Sequence, residues 1–144
     1  MSSSGKPYVL AIDPGRSKMG LAVVCNDGQI LYRAVLELDE FVQEMVALYQ
    51  RFRPKCIVIG GGTGSREMEP MLRQFMPGVQ VHVVDEAYTS EEARRRYLRE
   101  NPPKGWRRLI PPFLRVPDRP YDDYVAIILA ERYWSTVNRE KQQS

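Results

Sequence analysis

The chain has 144 residues, 43% hydrophobic and 27% charged, the size and balance of one globular domain rather than a disordered or fibrous chain. No apolar run approaches the roughly 20 residues that span a bilayer, which argues against a membrane-spanning helix and a membrane partner. Residues 1–6 lack the apolar stretch of a signal peptide and read as a flexible tail, so a cytoplasmic location is expected.

A single domain is expected over residues 7–138, with a second short tail over 139–144. The run from Tyr8 to Ile12 reads as a strand that ends at Asp13, where Pro14-Gly15 breaks it. Met19 to Cys25 is a second strand. Asn26-Asp27-Gly28 is a turn signal, so Ile30 to Leu38 should pair antiparallel with it. Phe41, Met45, Leu48 and Phe52 then recur at helical spacing, with Asp39 placed as an N-cap and Pro54 as the stop. Cys56 to Ile59 is a continuous apolar run, as a buried parallel strand requires. Cys25 and Cys56 are too few for a disulfide framework or a zinc site, and are expected as buried thiols. The loop Gly60-Gly61-Gly62-Thr63-Gly64 leads to a helix from Ser65 to Phe75. It can serve as a tight turn or as a phosphate cradle, without the ending of a P-loop. Val79 to Val84 is a further strand, ending at Asp85-Glu86. Thr89 with Glu92 forms a capping box for a third helix. Six prolines between Asn101 and Pro120 exclude regular structure there. Tyr121 to Asn138 carries the apolar stripe of a last helix. The sum is an α/β fold: a mixed central sheet of about five strands, three antiparallel and then parallel, flanked by helices.

Three acids stand at element ends: Asp13, Glu86 and Asp122, with Asp123 beside the last. Ligands gather at the carboxyl ends of parallel strands. Clustered carboxylates need a cation, and hard oxygen donors suit Mg²⁺ or Mn²⁺. The run Ala11-Ile12-Asp13-Pro14-Gly15-Arg16-Ser17-Lys18-Met19-Gly20-Leu21-Ala22-Val23 resembles the opening motif of the YqgF/RuvX family. Asp85-Glu86-Ala87-Tyr88-Thr89-Ser90-Glu91-Glu92-Ala93 is similar to that family's second motif. Asp122, with Ala126 to Leu129 and Tyr133, resembles its C-terminal helix. The resemblance implies a ribonuclease H-like fold and a nuclease acting on Holliday junctions or on precursor 16S ribosomal RNA. It implies metal ligation by Asp13, Glu86 and Asp122; Asp123, beside the last, is read separately as an alternate metal ligand or a support to the ligands. Two departures stand out: the glycine loop replaces a Gly-Leu-Pro-like segment, and Ala87 stands where the family has Arg.

Charge is segregated. Between Arg94 and Arg119 lie nine basic and two acidic residues, a local net of +7 in a chain whose total is +3. Such a segment attracts polyanions. Arg94, Arg95, Lys104, Arg107, Arg108 and Arg115, with Arg16 and Lys18 after Asp13, are the candidate nucleic-acid contacts. Trp106 and Phe113 can stack on bases or pin the loop. His82, mid-strand, is expected to be structural. Symmetrical cutting of two strands would call for a homodimer. The rival reading is a nucleic-acid or ribosome-associated binding factor without catalysis. A third is a phosphotransferase, since Asp13-x-Gly15 also resembles the first phosphate motif of actin-like ATPases. Those need two such domains, and this length holds one.

Overall fold

The computed structural model describes residues 7–15, 18–61, 63–85, 89–101, 109 and 122–143, with backbone alone at 63–66, 90, 122 and 141–143. The expected N-terminal tail and nearly all of the basic loop lie outside the described residues. The elements are β1 (Tyr8–Pro14), β2 (Lys18–Cys25), β3 (Ile30–Glu37), α1 (Leu38–Phe52), β4 (Cys56–Gly60), α2 (Thr63–Phe75), β5 (Val81–Val84), α3 (Thr89–Glu100) and α4 (Asp122–Gln143). They form one five-stranded sheet in the order β3-β2-β1-β4-β5. β1, β2 and β3 are antiparallel neighbours, and β4 and β5 add parallel to β1. This is the mixed sheet expected, and a ribonuclease H-like arrangement.

Side chains alternate between the faces of a strand, and the alternation sorts the core into two halves. Val9, Ala11, Ala22, Val24, Cys56 and Val58 face α3 and α4, with Ile127, Ile128 and Leu129 filling the middle. Leu10, Ile12, Leu21, Val23, Ile57 and Ile59 face the other way, against Phe41, Met45 and Leu48 of α1 and Met68 and Leu72 of α2. Small residues on the first face (Ala11, Ala22) let α4 lie close to the sheet. Trp134 fixes its far end, donating its indole N–H to the Val24 carbonyl at 3.2 Å. Both cysteines are buried and free.

Local chemistry explains where the elements start and stop, and corrects several expected bounds. β1 does not break before Pro14 but runs through it, with Asp13 opposite Gly20 and Pro14 opposite Met19. Pro14 lies past the last β4 pair, so its missing N–H costs no interior ladder bond. The turn to β3 uses Gly28 at φ 93°, a conformation that glycine adopts without a Cβ clash. Asp39 is not the N-cap of α1. The cap lies two residues earlier, at Glu37, which makes no side-chain bond. Asp39 sits inside the first turn, where an acid complements the helix dipole. Arg53 closes α1 in a left-handed conformation, its N–H on the Tyr49 carbonyl at 3.0 Å, and Pro54 prevents continuation. α2 starts at Thr63, two residues before the expected Ser65. β5 starts at Val81 because Val79 is still in the turn made by Gly78, its N–H on the Met76 carbonyl. α4 runs to Gln143, where a tail was expected from residue 139.

Candidate functional site

The parallel strands β1, β4 and β5 end at one edge of the sheet. The register pairs Ile12 with Ile59 and Gly60 with Val84. One step further along β1, Asp13 therefore stands level with Gly60, and on its other side it pairs with Gly20. By alternation Asp13 shares the face of Val9 and Ala11, the face that α4 covers. Its row reads Gly20, Asp13, Gly60. The carboxylate is half-buried at the strand exit, and neither flanking position has a side chain to crowd it. Neighbouring strands lie about 4.8 Å apart, and the two glycines, both buried, add no side chain to the row on either side of this hard oxygen donor.

The other expected ligands fare differently. Asp122 is the first residue of α4. Glu86, like Arg16, Lys104, Arg107, Arg108 and Arg115, lies outside the described residues. The chain just before Glu86 is held in place: Arg132 of α4 donates to the Asp85 carbonyl at 2.9 Å and reaches Glu92 of α3 at 3.5 Å. Asp123, expected as a further metal ligand, is buried to 3% exposure, and its Oδ2 accepts from Arg33 Nε at 2.9 Å. The guanidinium also lies over the Tyr124 ring, 4.2 Å from its centre. Asp123 is thus committed to a protein cation. Among the described residues no three acids, histidines or cysteines come together as a metal cage. For a cation, the fitting observation is the donor at Asp13 with its glycine flanks.

Lys18 sits on the same face as Asp13, two residues beyond Gly20. Its ammonium meets Glu37 at 3.3 Å in an exposed ion pair. Such pairs are worth about 0–1 kcal/mol, so the pair holds the cation only weakly. On α3, Arg95 is exposed and Arg94 half-buried. Arg96 is already engaged by Glu131 at 2.8 Å and Glu100 at 3.4 Å.

The glycine loop has a packing reason. The Gly61 N–H donates to the Val84 carbonyl at 2.8 Å, and a Cβ there would meet Val83 Cγ1 at 3.2 Å. The close exit of β4 beside β5 favours a residue without a side chain at Gly61. His82 lies away from the strand ends, its ring 5.2 Å from that of Tyr133. Tyr133 of α4 and the Cys56 thiol of β4 interact at this point. Burial pushes both groups up from their ordinary pKa, the interaction with Cys56 adding to the effect on Tyr133. This cluster braces α4 against β4 and β5.

Sequence reasoning missed Arg33. The signal was present: it is the one charged residue among Ile30-Leu31-Tyr32-Arg33-Ala34-Val35-Leu36. It also missed the two glycines beside Asp13, which become neighbours only through the register.

The family model for the Tex protein YqgF-like domain matches residues 7–97. No curated protein matches the chain. Among solved structures, RuvC of Thermus thermophilus superposes with a TM-score of 0.52 at 17% identity, over 85% of this chain and 90% of that one. A ROK family protein from Streptococcus pneumoniae aligns over 60% of this chain and 37% of its own, with 18% identity and a TM-score of 0.38. The first likeness bears on the fold alone, and the second is too slight to carry weight.

Proposed function

The chain belongs to the Tex protein YqgF-like domain family, and from that premise we propose that it is a metal-dependent nuclease acting on structured nucleic acid. The substrates in view are junction-like DNA and precursor ribosomal RNA. The observation that carries the reading is Asp13, a carboxylate at the exit of the central strand, flanked by Gly20 and Gly60 on the face that α4 covers.

Asp13, Glu86 and Asp122 are the residues that would hold Mg²⁺ or Mn²⁺. Bound there, the ion supplies a Lewis acid for the phosphoryl oxygen and lowers the pKa of a water. The chain's own contribution is position. β1, hydrogen-bonded on both sides, holds the Asp13 carboxylate. The glycine flanks put no side chain of their own beside it. Lys18, released from Glu37, neutralises a phosphate on the same face. Arg16, Arg94, Arg95, Lys104, Arg107, Arg108 and Arg115 take the backbone phosphates further out, where each cation displaces a counterion. Asp123 anchors α4 and is no ligand in this reading.

The test is Asp13→Asn, which keeps the shape and removes the charge. Mg²⁺-dependent cleavage of junction DNA or precursor ribosomal RNA should vanish while binding persists. Unchanged cleavage refutes the assignment. Salt-sensitive binding by a wild-type protein that cuts neither substrate would identify the non-catalytic binding factor instead.

A further inference from the structure

We infer that Arg33 is a positioning residue for the acid that opens α4: it sets the rotation and height of the helix through Asp123, and so the place of Asp122. The inference rests on the metal site proposed above.

Arg33 projects from edge strand β3, opposite Ala22 of β2. Ala22 is on the α4 face, so the guanidinium runs over a small residue to reach the helix. There it makes two different contacts with consecutive residues. Nε donates to Asp123 Oδ2 at 2.9 Å, and the guanidinium plane covers the Tyr124 ring at 4.2 Å. Gripping two adjacent positions fixes the helix both along its axis and about it. Consecutive residues are about 100° apart around a helix of 3.6 residues per turn. With position 123 turned onto the sheet and held there, position 122 has one place. Tyr124 is in turn tied to the end of α3: its hydroxyl donates to Glu100 Oε1 at 2.9 Å and lies 3.4 Å from Asn101 Nδ2. The start of α4 is thereby joined to β3 on one side and α3 on the other.

Stability alone does not account for the pair. The Asp123 carboxylate is 4% exposed. Arg33 Nη2 is buried without a hydrogen-bond partner among the described residues. A buried ion pair with an unmet donor is a poor stabiliser, and a well-packed apolar pair of similar volume usually serves as well or better. What the apolar pair lacks is direction. It can slide and rotate, whereas the planar fork and the ring face specify one arrangement. Groups that orient metal ligands behave this way, and their loss typically weakens metal affinity about 10- to 100-fold.

The experiment measures Mn²⁺ affinity by calorimetry, with thermal melting alongside, on the wild type, Asp13→Asn, Arg33→Lys and the double variant Arg33→Met with Asp123→Leu. The double variant should melt no earlier than the wild type yet bind Mn²⁺ about 10- to 100-fold more weakly. Arg33→Lys, which keeps the charge but loses the planar fork over Tyr124, should fold and show a smaller loss. Wild-type affinity in the double variant, with binding lost in Asp13→Asn, overturns the role of Arg33 and leaves the metal site standing. No Mn²⁺ binding by the wild type overturns the metal site, and this inference with it. Should the double variant not fold, Arg33→Lys decides: unchanged affinity there overturns the inference.

Discussion

Phe41 offers a test of whether the two faces of the sheet are independent. It is fully buried on α1, and with Met45 and Leu48 it seals the face of the sheet opposite α4. Replacing it by Ala removes the ring and leaves a cavity that the rigid strands cannot collapse to fill. Phe→Ala in such settings costs about 3–5 kcal/mol. At about 2.1 cal/mol/K per residue, a chain of this length unfolds with an entropy near 0.3 kcal/mol/K, so the melting midpoint should fall by about 10–17 °C. Urea titrations followed by far-ultraviolet circular dichroism measure the free energy directly, with an unchanged slope expected for an unchanged folded surface. The same variant, held well below its midpoint, should bind Mn²⁺ and nucleic acid like the wild type, because by strand alternation Asp13 belongs to the opposite face of the sheet. A loss under about 1 kcal/mol would contradict the packing of α1, given the usual cost of emptying a core site. A parallel loss of metal affinity in the still-folded variant would refute the separation of the faces.

Gly28→Ala should cost about 1 kcal/mol, since Gly28 has φ 93° with open space around it; no change in the urea midpoint would mean that the turn relaxes. Stability should fall as pH rises above about 9, because the Cys56 thiol and, higher, the Tyr133 hydroxyl are both pushed up by burial. The folded protein then holds protons that the unfolded chain has released, and stability declines with each further pH unit. Melting scans from pH 8 to 10.5 should show this decline, shallower in Cys56→Ala; an identical slope in that variant removes Cys56 from the account. Arg95→Glu should weaken nucleic-acid binding evenly across sequences and lower the log–log salt slope by about 1; a sequence-dependent loss or an unchanged slope would mean that Arg95 makes no phosphate contact.

The sheet was legible because each strand carries its own signal. The unbroken run Cys56 to Ile59 announced a buried parallel strand, and Asn26-Asp27-Gly28 announced the hairpin. Helix ends were less legible. Asp39 has the chemistry of a cap, but the chain enters α1 directly from β3, and the helix starts where the strand stops. The ion pair of Asp123 was not legible, because its partner Arg33 lies 90 residues away in the chain. The glycines beside Asp13 lie 7 and 47 residues after it, in no pattern that a sequence displays. Gly20 has a hairpin to bring it there, and Gly60 needs the parallel crossover.

β1 has a bearing on how the molecule can move. It is paired on both sides from Val9 to Ile12, and those residues are wholly excluded from solvent. Amides in such a strand exchange with solvent hydrogen only when the entire domain opens. Up to Ile12, the strand that carries Asp13 is therefore a fixed post on timescales shorter than unfolding. Any adjustment that a bound strand of nucleic acid demands must come from the partners that approach this post, and the slowest-exchanging amides of the protein should mark the one corner that does not adapt.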